Sequence, residues 1–150
     1  EGEVTEQQYF EAFKAWKKNP AVDVDLVGPA GDPVTLVNRA RDLKLAAERA
    51  AATKDDDTLV YDEVWCCFDV DDWGEKVSAA RDMAVANGLR LAMSNPCIEL
   101  WLILHLRENP GAQDRHAMQR IYRDLQPEVP EKHVYFAALV PVYAAAVLRV

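Results

Sequence analysis

The segment Glu63-Val64-Trp65-Cys66-Cys67-Phe68 is almost continuously apolar and stops abruptly at Asp69-Val70-Asp71-Asp72. Few structures accommodate a short apolar run that ends on acids. It reads as a central strand of a parallel sheet, buried on both faces, whose carboxyl end opens onto polar surroundings. The flanking sequence agrees. A helical stretch over residues 73–87 follows, with Gly88 placed as a C′ residue. Residues 89–93 form a second short strand ending at Ser94-Asn95-Pro96. Upstream, Val22, Val24 and Leu26 alternate with Asp23 and Asp25, the pattern of a half-exposed strand. Strands alternating with helices predict an α/β fold, a mostly parallel sheet flanked by helices. In such sheets ligands gather at the carboxyl edge, where Asp69, Asp71 and Ser94 fall.

The rest of the chain reads as helix. Tyr9, Phe10, Phe13 and Trp16 recur at helical spacing, with Thr5 as the expected N-cap and Asn19-Pro20 as the stop. Asp32-Pro33 opens a second helix reaching about Ala52. The run Lys54-Asp55-Asp56-Asp57 is a solvated loop. Residues 98–106 make a strongly apolar helix. Residues 114–125 make another, and a helical C-terminal part runs from Val134 onward after a break at Pro127 and Pro130. At 150 residues the chain is expected to form a single domain. Both ends look like internal points of a larger fold, so native chain is expected before Glu1 and after Val150.

The net charge is -8, from 25 acids against 17 bases. A protein holding nucleic acid by bulk electrostatics is usually basic. A nucleic-acid substrate here would need local basic patches, divalent metal or a partner protein. Nothing is long and apolar enough to span a bilayer, so no membrane is expected. Cys66, Cys67 and Cys97 suit reduced core thiols, which points to the cytoplasm.

Among the candidates for chemistry, Asp69-Val70-Asp71 is the strongest local signal. In extended chain, residues i and i+2 point the same way, so both carboxylates face one site. Two acids there repel unless a cation or protons neutralise them, and Mg²⁺ accepts one or two carboxylates plus waters. The competing reading is that these aspartates cap the next helix. Glu1 and Glu6 are individually weak, Glu6 being equally a first-turn acid. Glu99 heads a helix so apolar that its carboxylate is expected to be largely buried and to need a partner or metal. His105 reads as a core histidine. Arg115, Arg120, Arg123 and Lys132 gather late in the chain, the arginines spread over much of a helix surface.

Taken together, Glu1-Gly2-Glu3-Val4-Thr5-Glu6, the segment from Tyr61 to Asp72, and Ser94-Asn95-Pro96-Cys97-Ile98-Glu99-Leu100-Trp101-Leu102-Ile103-Leu104-His105 resemble the RloB-like family over essentially the whole chain. The resemblance implies a Toprim-like (Rossmann-like) fold, the metal-binding catalytic fold of topoisomerases, primases and overcoming-lysogenization-defect nucleases. It implies a cytoplasmic effector of bacterial anti-phage defence and abortive infection, partnered by an AAA-type ATPase, with a homo-oligomer left open. By motif, Glu1 matches the Toprim glutamate, Glu6 the second acid of that segment, and Asp69 and Asp71 the Asp-x-Asp. Ser94 and Glu99 match the later Ser and Glu, and Lys132 the late lysine. The implied activity is Mg²⁺- or Mn²⁺-dependent phosphodiester hydrolysis of DNA or RNA, tRNA included. Metal would sit on Glu1, Glu6, Asp69, Asp71, Ser94 and Glu99, and catalysis would draw on Glu1, Asp69, Asp71, Glu99 and Lys132.

Two other readings stay open. A phosphatase of the haloacid dehalogenase type would use Asp69 as nucleophile, but the Thr or Gly expected shortly afterwards is missing. A non-catalytic module would bind its ATPase or a ligand through exposed aromatics such as Trp73, Tyr122 and Tyr135.

Overall fold

The computed structural model describes residues 4–19, 25–28, 31–70 and 73–150. In chain order the elements are α1 (Thr5–Lys17), α2 (Pro33–Lys54), β1 (Trp65–Asp69), α3 (Glu75–Ala86), β2 (Arg90–Ser94), α4 (Ile98–Leu106), α5 (Arg115–Leu125), α6 (Phe136–Leu139) and α7 (Tyr143–Leu148). They fall into two compact units. One draws on Pro29–Phe68 and Asp72–Met93, the other on Gly2–Gly28, Asp69–Asp71 and Ser94–Val150.

The first unit is built on β1 and β2. Arg90 N donates to Val64 O at the start of the pair (2.9 Å) and Val70 N to Ser94 O at its end (3.0 Å). Start meets start and end meets end, so the strands are parallel, with α3 as the crossover. Among the described residues the sheet has these two strands. The broader sheet expected from the sequence is therefore seen only in part: Val22 and Val24 lie outside the described residues, and Leu26 sits in irregular, exposed chain. Strand β1 also departs from burial on both faces. Cys66 and Phe68 are 1% and 2% exposed, whereas Trp65 on the opposite face is 51% exposed. Alternation puts Cys66 and Phe68 on one face. There they pack with Val37 of α2 and with Ala80 and Ala84 of α3. Burial pushes the Cys66 thiol up to about 11, so it stays a neutral core group. Exposed Trp65 keeps a polar environment: its indole donates to Glu63 (2.9 Å), and the Arg90 guanidinium lies 5.3 Å from its ring.

Local signals set the helix ends. Asp32 caps α2 by accepting from Val34 N (3.2 Å), with Pro33 at the first helical position. Gly88 follows α3 at φ 60°, the left-handed conformation a C′ glycine supplies. Thr5 does not cap α1. The cap position belongs to Val4, and the Thr5 hydroxyl donates instead to Lys132 O (3.1 Å). A distant carbonyl has replaced the local N–H as its partner.

In the second unit α4 is apolar all round, and Ile98, Leu102, Ile103, Leu104 and His105 are buried. A helix with no polar face has to be enclosed. Helices α5, α6 and α7 pack against it, and α1 against α6. Tyr9, Phe13, Trp16, Trp101, Phe136 and Tyr143 form a cluster of mostly edge-on rings. The last carbonyls of α4 find a partner in Arg149, whose Nη1 donates to Leu104 O (2.9 Å) and His105 O (3.3 Å) while Nε donates to Glu108. The continuous C-terminal helix expected from Val134 is broken into α6, a 3-10 turn at Val140–Val142 and α7, because Pro141 cannot donate to a helical ladder. All three cysteines are free thiols, and no helix among the described residues is long and apolar enough to cross a membrane.

His105 is a core histidine, as expected. Nδ1 lies 2.9 Å from Trp101 O, which makes it the N–H tautomer there, and Nε2 is buried without a hydrogen-bond partner. Tyr9 Oη is likewise buried without one, its ring centroid 6.1 Å from that of His105. Burial pushes the Tyr9 hydroxyl up to about 12, against a pull from the Trp101 indole that falls short of a hydrogen bond.

Two outcomes follow. Phe68→Ala should cost about 3–5 kcal/mol, read from the shift in urea midpoint, because it empties a site closed by three elements. Burial, with Arg149 adding, holds His105 below its ordinary 6.5, and the Trp101 carbonyl only partly opposes this. The unfolded chain then binds more protons than the folded one below about pH 6.5, so stability should fall as pH drops through that window. His105→Phe cannot take up the proton and should flatten the pH dependence of Tm between about pH 7 and 5; an unchanged slope would refute this account.

Candidate functional site

Glu1 and Asp71, two of the acids expected at the site, lie outside the described residues. Asp69 closes β1 and is 6% exposed. The bond from Val70 N to Ser94 O holds the ends of the two strands side by side, so Asp69 and the Ser94 backbone share the carboxyl edge.

Helix α4 begins four residues after Ser94. The helix dipole favours an acid in its first turn, which Glu99 provides. Glu99 is half-buried rather than largely buried. Its neighbours Ile98 and Leu102 take the enclosed positions, and Glu99 turns to the wall of a pocket. Two groups sense its carboxylate there, and a third shares its pocket. The Cys97 thiol, fully buried, is pushed well above its usual range by burial first, and then by the neighbouring Glu99 carboxylate and the charge of Asp69. The Tyr122 hydroxyl is pushed up to about 12 by burial and by the Glu99 charge. Lys132 lines the same pocket. Asp69, Glu99 and Lys132, far apart in sequence, are thus linked through one thiol and one cavity.

The pocket encloses about 70 Å³ and is lined by Glu99, by Gln119, Tyr122, Arg123 and Gln126 of α5, and by the 129–132 loop. A single water needs roughly 10–15 Å³ on this scale, so several waters or a small anionic group fit. The loop is held on several sides. Val129 N donates to Gln126 O (3.0 Å), His133 N to Pro130 O (3.0 Å) and Val134 N to Gln8 Oε1 (3.1 Å). Lys132 itself sits at φ 62°, a left-handed conformation that costs an L-residue roughly 1 kcal/mol or more. Its carbonyl takes the Thr5 hydroxyl. Glu6 stands one residue on, in the first turn of α1, and is not among the residues lining the pocket.

Of the lining residues only Glu99 and Lys132 were site candidates, and Tyr122 and Arg123 are the notable ones that were not. Tyr122, expected among exposed aromatics, is buried against α4 and reaches the pocket. Trp73 is half-buried, and Tyr135 is exposed as expected. Arg123, read as part of a scattered set, reaches the pocket mouth and pairs loosely with Glu131 (3.5 Å). The available signal was the spacing of Gln119, Arg123 and Gln126, i, i+4 and i+7 on one helix.

Asp69 and Glu99 offer carboxylate oxygens, the hard donors that Mg²⁺ and Mn²⁺ take, so the donor chemistry fits such an ion. Among the described residues no three His, Cys, Asp or Glu side chains stand together as a complete ligand set. No curated protein and no solved structure matches this chain. The sequence profile described as RloB-like protein matches residues 1–144, nearly the full length, and the chain therefore belongs to the RloB-like protein family.

Proposed function

We propose that this chain is a divalent-metal-dependent nuclease, a Toprim-type domain that hydrolyses phosphodiester bonds of DNA or RNA. The proposal includes a role in anti-phage defence beside an AAA-type ATPase, for which family membership is the support. The observation that carries the catalytic reading is the convergence on Glu99. Its carboxylate lines a pocket with Lys132 and lies beside the Cys97 thiol, which the Asp69 charge also reaches, so acids and a cation from separated segments come into one neighbourhood.

Within this reading Asp69 and Glu99 hold the ion, with Glu1, Glu6, Asp71 and Ser94 completing its surroundings. When bound, Mg²⁺ or Mn²⁺ supplies Lewis-acid polarisation of the phosphoryl oxygens. The chain's own groups do the rest. The Lys132 ammonium balances charge developing on the phosphoryl group, and the loop bonds hold the backbone that carries it. The Tyr122 hydroxyl, raised to about 12, keeps its proton across the neutral range and can donate a hydrogen bond into the pocket. The half-buried setting of Glu99 strengthens each of these interactions relative to bulk water.

Calorimetric titration with Mg²⁺ and Mn²⁺, paired with incubation on DNA and tRNA substrates, tests the reading. Asp69→Asn and Glu99→Gln should each weaken metal binding and cleavage by at least about 10- to 100-fold. Metal binding unchanged in both variants would overturn it. Lys132 permits a sharper separation. Lys132→Gly relieves the left-handed backbone and should raise Tm, while cleavage falls because the ammonium is gone. Cleavage that survives Lys132→Gly would remove that residue from the mechanism.

A further inference from the structure

A chain of net charge -8 that acts on a polyanion needs a place where its own field does not repel the substrate. Helix α5 supplies one. At 3.6 residues per turn, Gln126, Gln119, Arg123, His116 and Arg120 follow one another around an arc of roughly 120°. The helix's own acid, Asp124, falls outside that arc, and the face centred on Met118 and Tyr122 is buried. His116, Arg120 and Arg123 are exposed, while Gln119 and Gln126 are half-buried at the pocket. Each of these five side chains can donate hydrogen bonds, and none is an acid.

The arc is directional. From His116 to Gln126 it extends roughly 15 Å along the helix axis. Duplex phosphates advance 3.4 Å per strand along the axis, so the arc matches about four nucleotides of backbone. Its pocket end is where Arg123 and Gln126 meet Lys132 and Glu99. Among the described residues Arg123 pairs there with Glu131 alone, at 3.5 Å, with side chains 56% and 75% exposed. An ion pair so exposed is weak enough for a phosphate to displace the carboxylate. Arginine also suits the exchange, because its planar fork binds phosphate in two-point fashion.

We propose that this flank of α5 is the track on which a nucleic-acid backbone lies, with Arg120 and Arg123 contacting successive phosphates and Glu131 occupying the Arg123 fork until substrate arrives. The proposal rests on the nuclease reading above and adds to it the surface that delivers a phosphodiester to Lys132 and Glu99. Arginines and glutamines facing phosphates position a strand without reading its bases, so the track is indifferent to sequence.

The test is fluorescence anisotropy with a fluorescein-labelled RNA hairpin and a duplex DNA, across a salt series in EDTA, so that metal plays no part. Wild type is compared with Arg120→Ala/Arg123→Ala, with Glu131→Gln, and with Arg49→Ala/Lys54→Ala as a charge-matched control on exposed positions of α2. The track predicts that the arginine pair lowers the slope of log K against log salt by about 1.4–1.8, two phosphate contacts at 0.7–0.9 each, while the α2 pair leaves it near wild type. Glu131→Gln should tighten binding, the opposite sign, because it frees the Arg123 fork. Equal losses in the two double variants would show a bulk charge effect and overturn the proposal, as would no binding by wild type. Parallel cleavage assays in Mg²⁺ keep the two ideas apart. Wild-type cleavage with an unaltered slope in the arginine pair sinks the track and leaves the nuclease standing. Slope loss without any cleavage does the reverse.

Discussion

Enclosure of α4 governs the second unit. A helix carrying Leu100, Trp101, Leu102, Ile103 and Leu104 in succession has no face that water can cover, so other segments must surround it. Helix α5 brings Met118 and Tyr122, α6 brings Leu139, and α1 brings Tyr9 to the same cluster. Packing of this kind fixes the first turn of α4 as firmly as its middle. Cys97 and Glu99 are consequently held at a defined place, and the polar ends of the surrounding segments meet there: the Gln119-to-Gln126 side of α5 and the 129–132 loop. The apolar core and the pocket have one cause.

The electrostatics of that place follow from the same enclosure. Glu99 is pulled toward the dipole at the helix start and away from full burial, and half-burial is where those demands balance. Cys97 and Tyr122 both feel its charge and both keep their protons, so each acts as a neutral donor beside a carboxylate. Asp69 adds a second negative charge to the neighbourhood of Cys97. Carboxylates near one another repel unless a cation or a proton intervenes, which is the physical sense in which acids at a strand end invite metal. Under the nuclease proposal, an acidic chain meets a polyanion locally, through a cation at the carboxylates and the guanidinium groups along α5.

Much of this was legible before any coordinates. The bounds of α4, the start of α2 at Asp32-Pro33 and the Gly88 stop of α3 rest on local signals: an uninterrupted apolar run, a cap with proline, a residue free to take positive φ. What escaped depends on tertiary partners. Thr5 looked like a cap and serves a carbonyl 127 positions away. Apolarity in β1 suggested burial on both faces, yet indole and thiol side chains tolerate partial exposure, so the run did not distinguish one covered face from two. Tyr122 and Arg123 belong to a helix whose charged residues look scattered in the linear sequence. Only the position of the pocket makes one flank of that helix meaningful.

Lys132 shows how a weak sequence match gains weight from backbone physics. Its surroundings, Pro130-Glu131-Lys132-His133, carry no recognisable signature, and a lysine in a late loop is ordinarily a solvated charge. The structure gives it φ 62°, a conformation that glycine or asparagine would adopt at lower cost. A loop selected for stability alone would place one of those residues there. The strain is maintained by Thr5 on the Lys132 carbonyl and by the bonds that the next two residues make, His133 N to Pro130 O and Val134 N to Gln8 Oε1. Those contacts over-determine the backbone at a position that also lines the pocket, and a left-handed lysine persists where its surroundings fix it in this way.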